Sequence, residues 1–184
     1  MLLLHTCCAP CSAAVIEWLL NEGICPTLFF FNPNIDPKEE YERRKNELIR
    51  YAGRLQIPFV DGDYDHALWL QSVKGLENQP ERGARCSACF RMRLEATAQF
   101  AHENGFTQIA TTLASSRWKS PEQITEAGQW AASRFSGIRF LNKNWRKDGL
   151  SERRNLLLKE NGFYNQSYCG CEFSRRVPSQ KQPL

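Results

Sequence analysis

The chain has 184 residues, 42% of them hydrophobic, eight cysteines and a formal net charge of +4 at pH 7. That length buries a full core without staples and that composition excludes a disordered chain; no apolar run approaches the ~20 residues of a membrane span, and the chain shows no basic stretch or cleavage site of a secretory signal. A cytoplasmic protein is expected, in which so many cysteines point to metal or redox chemistry rather than a disulfide framework, and the mild positive charge permits an acidic partner without demanding one.

Residues 2–6, LLLHT, read as a buried strand that runs straight into Cys7, Cys8 and, after a turn, Cys11. A helix is expected over 13–21, where Ala13, Ile16, Leu19 and Leu20 recur at helical spacing and Gly23 stops it. Thiolates placed between a strand end and a helix start gain from the helix N-terminal dipole. The continuous apolar run 27–32 predicts a strand buried on both faces. Asp36 as N-cap, Pro37 at the first helical position and Glu39 as capping-box partner open a charged helix over 37–54. Residues 57–61 are a third strand, and 62–85 an excursion without clean period that holds one short helix. A helix over 86–103 shows Phe90, Leu94, Ala98 and Ala101 on one face. A fourth strand, 108–112, leads into a polar loop, and Ser120-Pro-Glu-Gln123 is a second capping box for a helix to about residue 134. A fifth strand over 138–141 and a last helix over 152–160 follow. The alternation calls for an α/β fold: a parallel sheet of about five strands with helices on both faces. We expect one catalytic domain over 1–175 and a polar tail over 176–184.

In such sheets ligands sit beyond the carboxyl ends of the strands, at the switch in strand order. Cys7 and Cys8, the segment 111–116, and the pair Cys86-Ser-Ala-Cys89 should converge on that edge. Residues i and i+3 share a helix face, so Cys86 and Cys89 can reach one metal centre. With Cys7 and Cys8 they make four thiolates, suited to a structural zinc or an iron–sulfur cluster. Adjacent sulfurs fit two irons of a cubane better than two corners of one small tetrahedron, so [4Fe–4S] is favoured over zinc. Cys11 is left over, for a second ion, for bound substrate, or as a spare thiol. Cys169-Gly-Cys171 has the spacing of a strained, redox-active disulfide, or of two unpaired loop thiols. Cys25 reads as core, and so does His5. Lys143, Arg146, Lys147, Arg153 and Arg154, with Arg175, Arg176 and Lys181, gather positive charge late in the chain, interleaved with Trp145, Tyr164 and Tyr168. Such a patch suits an RNA backbone with bases stacked on rings, or is simply a solvated face.

HTCCAPCS at the start, RCSACFRMRL in the middle, TTLASS at the fourth strand and YCGCEFS near the end resemble the QueH-type epoxyqueuosine reductases over about residues 1–175. The resemblance implies a sheet similar to the Rossmann-like adenine-nucleotide α-hydrolases. It implies reduction of epoxyqueuosine to queuosine at the tRNA wobble base, with an outside electron donor that the sequence does not identify. By the family pattern Cys7, Cys8, Cys86 and Cys89 hold a [4Fe–4S] cluster, and Cys169 and Cys171 are the redox-active disulfide. Some members carry an aspartate where Cys11 stands, linked to an extra metal ion near the cluster. The S-G-G-x-D-S loop of the related ATP-using enzymes is absent, so no adenylation is expected. Thr111, Thr112, Ser115 and Ser116 are candidates for the cyclopentane hydroxyls of the substrate. The competing expectations are a zinc-stabilised RNA-binding domain without catalysis, and a thiol oxidoreductase acting on proteins through Cys169 and Cys171 alone.

Overall fold

Leu2, Leu3 and Leu4 are enclosed on all sides and, with His5, form the central strand β1 (Leu2–His5) in a computed structural model that describes residues 1–175. The others are β2 (Thr27–Phe30), β3 (Phe59–Asp61), β4 (Gln108–Thr111) and β5 (Arg139–Phe140). Their order is β3-β2-β1-β4-β5 and every pairing is parallel, Leu3 standing opposite Thr27 on one side and Ile109 on the other. Leu3 and Leu4 on β1, Leu28, Phe29 and Phe30 on β2, and Ile109 and Ala110 on β4 are buried because helices cover both faces.

The helices are α1 (Ala9–Asn21), α2 (Lys38–Arg54), α3 (His66–Ser72), α4 (Ala84–Glu103), α5 (Pro121–Ser133) and α6 (Leu150–Glu160). Right-handed crossovers place α1 and α2 on one face and α4 and α5 on the other. Consistent with this, α6 packs on α1, and α4 on α5. The parallel α/β sheet read from the sequence is present. The tail 176–184, with Arg176 and Lys181, lies outside the described residues. Among the described residues no helix is long and apolar enough to cross a membrane.

Several boundaries differ from the sequence reading for local reasons. Helix α1 begins at Ala9, because Pro10 sits in the first turn, where no backbone N–H is required. Cys8 thereby becomes the N-cap residue and Cys11 falls inside the helix. The box expected at Asp36 and Glu39 does not form: α2 starts at Lys38 after a cis Asp36–Pro37 bond, with no side-chain cap. The Asp36 amide instead donates to the Gly170 carbonyl, 3.0 Å away. At α5 Ser120 does accept from the Gln123 amide, but the Gln123 side chain does not return to it. It reaches across to α4, donating to the Arg82 and Gly83 carbonyls and to Ser87. The excursion before α4 holds the short helix α3, capped by Asp65 through the Leu68 amide.

Close packing of α5 on the sheet margin rests on one small residue. A Cβ at Gly128 would overlap the ring of Phe140 on β5. Gly128→Ala should therefore cost about 1–3 kcal/mol, as overpacking does, and a urea titration of both proteins measures it; equal midpoints would show that Phe140 moves aside freely.

Candidate metal and redox centre

The strand order reverses between β1 and β4, and the chain leaving each of these strands builds the site. Cys7 and Cys8 leave β1, and Cys11 lies in the first turn of α1. Cys8 is extended at the N-cap position, so the three thiols surround a helix N-terminus whose unpaired amides favour negative charge. All three are buried, and their sulfurs lie within 4.8 Å of one another, close enough to share one metal ion. Hydrogen bonds from Cys11 and Cys8 push the Cys7 thiol well below its ordinary range. Burial, with hydrogen bonds to the neighbouring thiols, drives Cys8 well above it. Cys11 is raised to about 11, first by its hydrogen bond to Cys7.

Cys86 likewise sits in the first turn of its helix, α4, which starts after Gly83. The Arg82 amide donates to Cys86 Sγ at 3.3 Å. Cys89, one turn on, packs with Cys171, Trp69 and Val73 in an apolar cluster separate from the main core. The structure thus brings the C-x-x-C pair against the C-G-C segment, a contact the sequence reading did not contain. Cys169 and Cys171 are both free thiols. Burial pushes Cys171 up to about 11. Gly170 between them has φ +129°, and a Cβ there would meet Ile35 at 3.1 Å and the Arg44 guanidinium at 3.2 Å, so only glycine fits.

Four cations are buried around these cysteines: Arg44 is 3% exposed, Arg85 and Arg93 2%, Lys119 6%. Arg44 has a carboxylate partner, Glu40 at 2.6 Å, and also donates to the carbonyls of Cys169 and Tyr168. Arg93 donates to Asn32 Oδ1 and to Cys89 Sγ. Arg85 donates to the Glu77 and Gln79 carbonyls and lies over the Phe173 ring. No carboxylate pairs with Arg85, Arg93 or Lys119 among the described residues. Burial alone would pull the Lys119 ammonium down, but Cys169, Cys7 and Cys11 outweigh it and hold the group above its ordinary value. Nε of Arg85 and Arg93 and the Trp69 indole N–H are buried without a partner among the described residues. Buried unpaired cations and orphaned donors call for negative charge nearby. Metal-bound thiolates supply that charge, so this donor set fits a metal–thiolate centre.

A cleft of about 620 Å³ opens above the cysteines, with Cys7, Cys8, Cys11, Cys169, Arg44 and Lys119 in its wall. Of the residues proposed from the sequence for substrate, Ser115, Ser116, Arg146 and Arg154 line it. Ser115 is buried and its hydroxyl has no partner among the described residues. Thr111 and Thr112 are engaged below it. Thr112 contacts Cys7 Sγ at 3.7 Å, and Thr111 bonds His5 Nδ1 at 2.9 Å. Lys147 is exposed and not in the cleft wall. Arg153 is held by both carboxylate oxygens of Glu17, tying α6 to α1. Cys25 is exposed rather than in the core, because β2 begins after it. The sequence reading missed Arg44, Arg85, Arg93 and Lys119. A signal existed for two of them: Arg44 falls on the buried stripe Tyr41, Leu48, Tyr51 of α2, and Arg93 lies beside Phe90 and Leu94 on α4.

A parallel α/β sheet with a cleft at its switch point, floored by thiols and walled by cations, defines an oxidoreductase built round a cysteine centre. The comparisons with known proteins narrow this to one family. The family model described as "Epoxyqueuosine reductase QueH" matches residues 2–177, and the chain belongs to that family. A protein of Acinetobacter baylyi named epoxyqueuosine reductase QueH is 50% identical over 175 residues, covering 95% of this chain and 80% of its own. Its namesake in Haemophilus influenzae is 48% identical, covering 95% and 71%, and that of Thermotoga maritima 35%, covering 94% and 88%.

His5, at the end of β1, gives this site a pH signature. Its Nε2–H donates to the Phe31 carbonyl at 3.1 Å, so Nδ1 accepts from the Thr111 hydroxyl, a neutral tautomer. Burial, then Arg93, lowers its pKa from 6.5 to about 3. Between those values the unfolded chain binds a proton that the folded one refuses, so stability should fall as pH drops below 6.5, at up to about 1.4 kcal/mol per pH unit. Urea unfolding at about pH 7 and about pH 5.5 reads this; a His5→Gln variant should lose that part of the slope, and an identical slope in both proteins would show that His5 does not carry it.

Proposed function

We propose that the chain reduces the epoxide of epoxyqueuosine to the alkene of queuosine at the wobble position of tRNA. The observation that carries this reading is the switch-point cleft with thiols in its wall, in a chain of this family. Removing the epoxide oxygen as water consumes two electrons and two protons, and oxidation of one dithiol to a disulfide releases the same number. Cys169 and Cys171 are free thiols and fit that balance. Cys169 is in the cleft wall, while Cys171 lies behind it beside Cys89. An external donor, still to be identified, then restores the dithiol.

Cys7, Cys8, Cys86 and Cys89 are the proposed ligands of a [4Fe–4S] cluster, and Cys11 of an additional metal ion. When bound, such a centre supplies electrons and Lewis acidity. Arg93 supports this grouping, for it contacts Cys89 and also lowers the pKa of Cys7 through its charge. The tight Cys7, Cys8, Cys11 trio supports a competing assignment, one metal ion on those three alone. The residues of the chain bind and orient the nucleotide. Ser115 and Ser116 face the cyclopentane hydroxyls, with Thr111 and Thr112 fixing the floor beneath them. Arg146 and Arg154 take phosphates at the mouth, with exposed Lys147 adding long-range attraction, while Arg153 fastens α6 in place.

Two experiments follow. Alanine at Cys7, Cys8, Cys86 or Cys89 should lower bound iron and abolish anaerobic turnover of epoxyqueuosine-bearing tRNA. Serine at Cys169 or Cys171 should keep the iron but stop multiple turnover. Full iron in Cys86→Ala would favour the trio, and loss of iron in Cys171→Ser would make that thiol a ligand. For RNA binding, Arg146→Glu with Arg154→Glu should weaken tRNA affinity at least tenfold and flatten its salt dependence by about two phosphate contacts. Arg153→Ala should instead lower the thermal midpoint; wild-type affinity in the double variant would make those arginines a solvated face.

A further inference from the structure

Among the described residues Arg82 is one of three non-glycine residues with positive φ, at +65°. Non-glycine residues are held in that region only where surrounding contacts over-determine them, and here the contacts point two ways. Toward the cysteines, the Arg82 amide donates to Cys86 Sγ at 3.3 Å. Toward the cleft, its guanidinium donates to the Arg117 carbonyl at 2.7 Å and the Trp118 carbonyl at 3.4 Å. Arg117 and Trp118 both line the cleft. The turn between is clamped: Gln123 donates to the Arg82 and Gly83 carbonyls, and a Cβ on Gly83 would meet the Pro80 carbonyl at 3.0 Å. One residue therefore joins the loop a nucleotide must press against to the sulfur of a candidate ligand.

We propose that Arg82 is a positioning residue that couples occupancy of the cleft to the metal centre through its amide–sulfur hydrogen bond at Cys86. This rests on the reading of Cys86 as a cluster ligand. Hydrogen bonds to ligand sulfurs stabilise the more negative, reduced state of a cluster, so they set its potential. A guanidinium fork holding two carbonyls transmits displacement of that loop to its own backbone better than a single ammonium does. Substrate entering against Arg117 and Trp118 thus retunes the centre while leaving its ligands unchanged.

The test is an anaerobic redox titration of the iron-loaded protein, followed by electron paramagnetic resonance, with and without tRNA. Arg82→Lys keeps charge and amide but loses the fork; Arg82→Gly relieves the positive φ and keeps the amide. Wild type should show a tRNA-linked shift in midpoint potential. Both variants should lose most of it while retaining iron, with kcat reduced severalfold and KM little changed. An unchanged shift in both variants, no shift in wild type, or a shift retained in Arg82→Lys alone (a pure charge effect) would overturn the coupling. Iron content of Cys86→Ala, measured alongside, separates the premises: its loss upholds the ligand assignment whatever Arg82 does, and its retention overturns both.

Discussion

Positive charge taken out of water is the constraint on which the rest of this structure depends. Moving one guanidinium or ammonium into a protein interior costs several kcal/mol unless compensating groups surround it. Here four such groups are buried, and three of them, Arg44, Arg85 and Arg93, donate to backbone carbonyls, side-chain oxygens or sulfur, each fixing a different piece of chain. Arg44 fastens the C-G-C segment to α2. Arg93 joins the end of β2, through Asn32, to Cys89 on α4. Arg85 gathers the loop after α3. Lys119 stands in the cleft wall with Cys7, Cys11 and Cys169. Loops that would otherwise be independent are held to a common centre by cations that have few acidic partners, and metal-bound thiolates at that centre would balance them.

The sheet supplies the geometry that makes this possible. Because β1 and β4 are neighbours whose crossovers run to opposite faces, the chain leaving them diverges and opens a crevice. The first turn of α1 and the first turn of α4 each hold cysteine at a helix N-terminus, whose positive dipole end favours negative charge. Helix termini and side-chain cations therefore act in the same sense, favouring thiolate over thiol in a place where burial alone would do the opposite.

What was legible in the sequence follows from range. Apolar runs and alternation of elements are local signals, and they sufficed for a parallel sheet of five strands and for the convergence of Cys7, Cys8 and the β4 loop. Boundaries set by tertiary contacts were not legible: Asp36 reads as an N-cap, but its backbone amide is taken by Gly170, more than a hundred residues away. The four buried cations were hidden for a related reason. Arg44 sits in a helix dense with charge, where the default is a solvated face, and only its place on the Tyr41–Leu48–Tyr51 stripe marks it as enclosed. Arg153 misleads in the other direction, since it reads as part of a basic patch, but the carboxylates of Glu17 on α1 and Glu160 on α6 claim it. Lys119 carries no local mark at all.

The strand lengths hold a separate consequence. The three inner strands have four residues each, while the margins, β3 and β5, have three and two. A sheet margin is a row of unpaired amides and carbonyls onto which another chain can zip, and the hazard grows with its length. Tapering from the middle outward leaves too short a row for such templating. The same taper puts the greatest depth of ladder beneath the crevice and spends little of the chain on the rims, where Asp61 on β3 and Arg139 on β5 add charge to margins already too short to template growth.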